Sequence, residues 1–443
     1  MRTSAAVWIL AVGCVPAALR SSIEDPMRET ARVVSRARTE TLSTTGDVSR
    51  EDVLRVAVGR DPGIVARVRR ARALLEEARA ETSLPPPELG VQVLNLPLTQ
   101  PYALGDADMY MVELRQRFLP AGARDARALA RVGEARAELA AASAREQDTR
   151  RRVSEVWADY VAGTLHHHVH SDHLQLLGEM LAASRGRFAA GRASLADVTR
   201  VEAERARVQR VLTRFQSDRA RAARTLNALM DLPPDADLGE TVAAPPETVR
   251  LTLDALVTAA LEHRAMVAEA RARARAARAE TAAAHAEASR PEVSVSLGYW
   301  QDPQMRPGIG ATAMMSLPWI SGGGRAREAA AHERESAERA EVEDSERAVR
   351  IEVTTALARV TGLEEEIRVL RRESRQAIER SIAAAHDAYV TGGGDLLMWI
   401  DAARMRLDLA MDEADLVADL QRALAELEWS VGTALPRVAL DDL

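Results

Sequence analysis

The sequence predicts a mainly α-helical chain with a small β part: long coiled-coil helices in two similar copies, with four short strands. Three observations predict it. Ala, Arg and Glu dominate long stretches, while aromatic residues make up only 3% of the 443 residues, a composition that favours extended helices over compact aromatic cores. Residues 122–230 align without gaps onto 323–431 at a spacing of 201, pairing Arg124 with Arg325, Phe188 with Tyr389, Gly191 with Gly392 and Leu226 with Leu427. Apolar residues recur at heptad spacing, as Val201, Val208, Phe215, Ala222 and Leu229 in the first copy and Val417, Leu420, Leu424, Leu427 and Val431 in the second.

The repeat sets the expected boundaries. Residues 50–234 and 252–436 are the two copies, 235–251 a Pro-flanked linker, and 437–443 a short tail. Ahead of them, 1–13 read as an export signal with an apolar stretch from Ala5 to Val12. Cys14 is the only cysteine and follows Ala-Val-Gly, a lipobox-like ending; ordinary cleavage near Ala17-Ala18 is the alternative. Residues 14–49 are polar, rich in Thr and Arg, and expected to be extended or disordered.

Each copy reads as helix, two strands, a very long helix and a shorter one. Asp52 to Ser83 is the first helix, ended by Pro85-Pro86-Pro87. Val91–Leu96 and Met109–Leu114 flank a loop with Pro97, Pro101 and Gly105. In the second copy Val293, Val295, Leu297 and Tyr299 alternate with polar or small residues, and Ile309, Ala311, Ala313, Met315 and Leu317 do the same, broken only by Met314. The long helices open at Gly122 and at Gly322-Gly323-Gly324 and run about 60 residues, roughly 90 Å. Their partners carry narrow apolar seams flanked by Arg and Glu, as befits a wall with water on both sides.

Charge and hydropathy narrow the function. Net charge is −7 with both signs interspersed and no Lys, so nothing favours nucleic acid. No internal apolar run reaches the roughly 20 residues of a spanning helix, so a membrane crossing would use strands. Four strands cannot close a membrane barrel, whose smallest bacterial form has about 8. At least two chains must contribute: two would supply 8 strands and a barrel that side chains fill, while three would supply 12 and leave a lumen. A closed soluble sheet is the alternative for these segments.

Several phrases resemble the TolC-type outer-membrane efflux family. They are Leu317-Pro318-Trp319-Ile320-Ser321-Gly322-Gly323-Gly324-Arg325 and the two hairpin turns, Arg187 to Val198 and Ala388 to Leu397, each an aromatic, a Gly three places on, a polar residue and Leu. The resemblance covers about residues 50–436. It implies a homotrimer with a 12-strand outer-membrane β-barrel continued by a helical barrel through the periplasm. It also implies a passive conduit for solute efflux or type I secretion, partnered by a periplasmic adaptor and an inner-membrane pump. Lipidated members are common, which adds to the reading of Cys14.

The resemblance assigns roles to particular residues. Ala190, Gly191, Arg192, Ala193 and Ser194, with Thr391, Gly392, Gly393, Gly394 and Asp395, are adaptor-docking tips; Gly191 and Gly392 equally suit a turn that needs positive φ. Asp197, Tyr389 and Asp401 fall at a pore gate, where threefold copies of a carboxylate would attract cations; Asp197 and Asp395 equally suit helix caps. Gly394 and Met398 depart from the Arg and Asp that some relatives carry, so the gate's ionic network differs. His166, His170 and His173 lie on one helical face and are weak candidates for a shared metal; the second copy has Ile367, Arg371 and Ser374 there, so the repeat does not need them, and a solvated face is the preferred reading because no carboxylate-Cys-His set completes the site.

Enzyme signatures are missing. Gly322-Gly323-Gly324-Arg325 lacks the ending of a phosphate loop, and there is no His-Glu-x-x-His. No enzyme activity and no cofactor are expected. The competing readings, a periplasmic coiled-coil adaptor or a scaffold without a pore, leave the two equal halves and their strand hairpins unexplained.

Overall fold

The computed structural model describes residues 16–36, 48–94, 107, 109–238, 246–301 and 307–440. Cys14 and the loop with Pro97, Pro101 and Gly105 lie outside the described residues. In chain order the elements are α1 (Ala17–Arg36), α2 (Arg50–Arg60), α3 (Pro62–Glu81), β1 (Glu88–Leu94), β2 (Met109–Phe118), α4 (Ala123–Ala189) and α5 (Leu195–Leu229). There follow β3 (Glu247–Val249), α6 (Leu253–His263), α7 (Ala265–Ser289), β4 (Val293–Gln301), β5 (Gly308–Met315), α8 (Gly323–Val369), α9 (Arg375–Thr391), α10 (Leu396–Val431) and β6 (Arg437–Ala439). The chain divides into two compact units, one of 1–35, 65–142 and 266–345, the other of 36–64, 143–265 and 346–443.

The first unit holds a four-stranded antiparallel sheet in the order β1-β2-β4-β5. Its register lines up side chains in rows. Leu89, Leu114, Leu297 and Ala311 form one row, and Val91, Val112, Tyr299 and Ile309 another. These rows share one face, and it is exposed: Leu89 is 71% accessible and Ile309 73%. The opposite face carries Glu113, Arg115, Ser296 and Thr312 among glycines, together with Met111, Trp300 and Met314, the Trp300 ring lying over Gly308 and Gly310. The sheet thus has one apolar side and one mixed side that holds its charged residues, and among the described residues β1 and β5 each offer an open edge.

In the same unit α1 corrects the expectation of a disordered tail. Leu19 and Ile23 are buried against Leu75, Ala78, Ala128, Val132 and Ala135, with Met27 packed alongside. Leu19, Ile23, Met27 and Thr30 step by three and four along one face. That narrow stripe is diluted by polar residues, so composition hides it.

The second unit gathers the hairpin of α4 and α5 and that of α9 and α10. The predicted seams are its core: Val201, Val208, Ala222, Leu420, Leu424, Leu427 and Val431 are buried, while Phe215, Leu229 and Val417 are half-buried. The first long helix is longer than expected, at 67 residues in α4. Its counterpart is interrupted by a π-helical turn, Leu370–Ser374, between α8 and α9.

Two further boundaries differ from expectation. The helix predicted over Asp52 to Ser83 is two helices, broken at Asp61-Pro62. Pro62 has no N–H to donate and disfavours helical geometry at Asp61. The Asp61 carboxylate satisfies the break, accepting from Gly63 N at 2.7 Å, Thr149 Oγ1 at 2.7 Å and Arg145 Nε at 2.9 Å. The linker and the tail contain strands: β3 pairs antiparallel with β6, matching Glu247 with Ala439 and Val249 with Arg437. Three residues each are too short to show a period, and Arg437 anchors them through Glu428 and Gln421.

Candidate functional site: the hairpin tips

Both tips turn through a left-handed glycine. Gly191 has φ +69° and Gly392 φ +91°. After Gly191, Arg192 N donates to Arg187 O at 2.8 Å; after Gly392, Gly393 N donates to Ala388 O at 3.0 Å. These are the closing bonds of helix ends, and a Cβ at either glycine would be strained. The next helices are capped by side chains. Ser194 Oγ accepts from Asp197 N at 3.2 Å, while Asp197 Oδ2 accepts from Ser194 N at 2.9 Å, a reciprocal capping box. Asp395 Oδ1 accepts from Leu397 N at 3.3 Å. Ala190, Gly191, Arg192, Ser194, Thr391, Gly392, Gly393 and Asp395 are exposed, and Ala193 and Gly394 half-exposed. A Cβ on Gly394 would lie 2.8 Å from Ala388 Cβ, so this turn leaves no room for a side chain there.

Behind the tips the two hairpins share one core of Leu177, Met180, Val201, Leu396, Trp399 and Ile400. Tyr389 belongs to this core, 3% exposed, with its ring 5.5 Å from that of Trp399. The Arg187 guanidinium sits 4.7 Å from the Tyr389 ring centroid, and its Nη1 donates to the Tyr389 carbonyl. Burial raises the Tyr389 phenol above its ordinary pKa.

Of the acidic positions, Asp197 is half-exposed and engaged in its cap, whereas Asp401 is 58% exposed and 3.7 Å from Arg404. A stronger pair lies beside it. Arg404 donates from Nε and Nη2 to Glu204 at 3.1 and 2.7 Å, joining α10 to α5. The Arg404 hydrogen bond holds the Glu204 carboxyl below its usual pKa. Sequence reasoning missed Arg187, Glu204 and Arg404. Glu204 had a legible signal, a charge between Val201 and Val208 on the seam.

The histidines overturn the expectation of a solvated face. His166, His170 and His173 are 8, 4 and 2% exposed. His166 and His170 pack on Phe215, with ring centroids 4.5 and 5.0 Å away. His166 Nε2 lies 2.9 Å from Asp415 Oδ1. Burial lowers the pKa of His173 to about 4. The polar imidazoles are buried because three helices meet there, which helical periodicity within α4 alone does not reveal. Among the described residues no group of three His, Cys, Asp or Glu is arranged to hold a metal.

The described chain thus pairs a four-stranded sheet in one unit with two helical hairpins in the other. Residues 256–433 match the family model described as outer membrane efflux protein. The chain superposes on CusC with a TM-score of 0.73 at 16% identity, covering 88% of this chain and 93% of that one. VceC of Vibrio cholerae gives 0.70 at 18%, covering 87% and 97%. The open-state MtrE channel of Neisseria gonorrhoeae gives 0.66 at 17%, covering 90% and 96%. No curated protein matches the sequence. Residues 256–433 therefore resemble the outer membrane efflux protein family, and the chain has the fold of these solved channels.

Proposed function

We propose that this protein is the outer-membrane channel of a tripartite efflux or type I secretion assembly, a passive conduit rather than an enzyme. The observation that carries the reading is the sheet. One face is apolar and exposed, the other holds the charged Glu113 and Arg115 beside Met111 and Trp300, and among the described residues both edges are open. In lipid an open edge leaves backbone groups unsatisfied at several kcal/mol each, so the sheet has to close with other copies. Three copies give a 12-strand barrel with the apolar rows toward lipid and Glu113 and Arg115 toward water.

The two repeats, 50–234 and 252–436, alternate around that trimer and continue it into the periplasm. The tips, 190–194 and 391–395, dock a periplasmic adaptor that joins an inner-membrane pump. Asp197, Tyr389 and Asp401 stand at the periplasmic mouth, and Cys14 carries a lipid anchor. Cell fractionation with native mass measurement tests the core of this reading: a trimer in the outer-membrane fraction is expected, and a monomer in the soluble periplasm would overturn it. Fatty-acid labelling lost in Cys14→Ser is the expected result for the anchor, and unchanged labelling would remove it.

A further inference from the structure

The charged face of the sheet carries one large ring. α3, α4, α7 and α8 all join the sheet at the end marked by Glu88, Phe118, Val293 and Met315. At the opposite end the register sets Gln92, Met111, Trp300 and Gly308 in one row. The next row is Gly90, Glu113, Gly298 and Gly310, and the one after it Glu88, Arg115, Ser296 and Thr312. The indole of Trp300 lies along β5. A Cβ on Gly308 would stand 2.7 Å from its Nε1, and a Cβ on Gly310 2.6 Å from its Cη2. Two glycines two residues apart on one face are what let the ring lie down on the strand. With any side chain there it would have to stand away from the sheet. One π face is thus covered by β5 and the other turned outward, and the residue is half-buried.

That outward face is not taken by a cation of the chain. Elsewhere this Arg-rich chain stacks guanidinium groups on its rings: Arg264 on Trp429 at 3.7 Å, Arg187 on Tyr389 at 4.7 Å and Arg219 on Tyr160 at 5.1 Å. Among the described residues none stacks on Trp300. The nearest charged position along the strands is Glu113, one row or roughly 7 Å away. Arg115 stands a row further off and is tied to Glu113 at 2.9 Å, and Arg117 beyond it is tied to Glu88 at 3.1 Å. An aromatic face is negative and the nearest charge is a carboxylate, so the row favours a cation over an anion. Met111 adds a polarizable thioether beside the ring, suited to an apolar or aromatic body.

We propose that Trp300, with Met111 and Glu113, is a binding platform for aromatic organic cations at the mouth of the channel remote from the helices. The inference rests on the proposed trimeric barrel, in which the face of Glu113 and Arg115 lines the lumen. Three copies then set three platforms around one opening. A ring laid flat holds a solute against the wall rather than across the bore, so binding is compatible with passage.

Single-channel recording of the full-length protein tests this with three probes: benzyltrimethylammonium, tetramethylammonium and benzenesulfonate. Benzyltrimethylammonium should reduce the current at a roughly fivefold lower concentration than tetramethylammonium, and benzenesulfonate should not reduce it at all. Trp300→Leu should erase the difference between the two cations. Trp319→Leu, in the turn after the sheet, should preserve it. If Trp300→Leu fails to assemble, Trp300→Phe, whose ring is too short to cover both glycines, should narrow the difference. A conducting variant at 300 that separates the cations as the wild type does overturns the platform and leaves the channel. So does a wild-type channel that treats all three probes alike. A wild-type protein that never conducts overturns both. In vesicles, aqueous iodide rather than brominated lipid should quench the emission that Trp300→Leu removes, and quenching by the lipid would put the ring in the bilayer and overturn the platform.

Discussion

Glu204 sits on a seam where an apolar residue would pack, and Arg404, with Arg207 at 3.9 Å as a weaker partner, makes its burial tolerable. Its side chain is 9% exposed against 41% for Arg404, so the carboxylate bears most of the desolvation. Arg404→Ala should leave Glu204 with only the distant Arg207 and lower stability by about 2 kcal/mol, read by denaturant unfolding; Arg404→Met with Glu204→Leu should recover most of it. His173 gives the second prediction at this scale. Its pKa is about 4 in the folded chain against 6.5 for the free side chain, so the unfolded state binds the extra proton between these values. Stability should therefore fall as pH drops from 6.5 to about 4 and level off below, by on the order of 3 kcal/mol at most. His173→Leu should flatten that limb in a melting-temperature series; an unaltered pH profile would show that other groups cause it. For Asp197 and Asp401, a double Ala variant should lower cation preference in reversal-potential measurements if the carboxylates ring the pore mouth. Loss of the Asp197 cap alone would cost about 1 kcal/mol and leave selectivity unchanged.

At the scale of elements, the tips join a rigid turn to an exposed surface. If the proposed adaptor docks at the tips, Gly392→Trp should abolish export in an efflux assay while native mass still shows assembled protein, because φ +91° strains any side chain there and the turn is exposed. Full export in that variant would move docking elsewhere. The elements also show which signals a sequence carries. Heptad seams such as Val201, Val208 and Ala222 were legible because burial on a long helix repeats many times. The strands at 293–301 and 308–315 were legible through their alternation. α1 was not, since four stripe residues are lost among charges, and the three-residue strands β3 and β6 show no period at all. The tip turns were readable from Gly191 and Gly392, but the links behind them were not. Arg187 to Tyr389 and Arg404 to Glu204 join residues about 200 positions apart, and no local pattern encodes such a meeting.

At the scale of the molecule, the duplicated sequence accounts for both the coiled-coil hairpins and the sheet, and the proposed closure with other copies would satisfy the edges of β1 and β5. An adaptor or a scaffold without a pore has no use for a sheet with eight exposed or half-exposed residues aligned in two apolar rows. The most direct test is single-channel recording of the purified wild-type protein in a planar bilayer. A channel built from three chains should give discrete conductance steps at low protein concentration, blocked from one side by multivalent cations. A trimer that inserts into the bilayer yet passes no current, before and after removal of the tip carboxylates, would contradict the account.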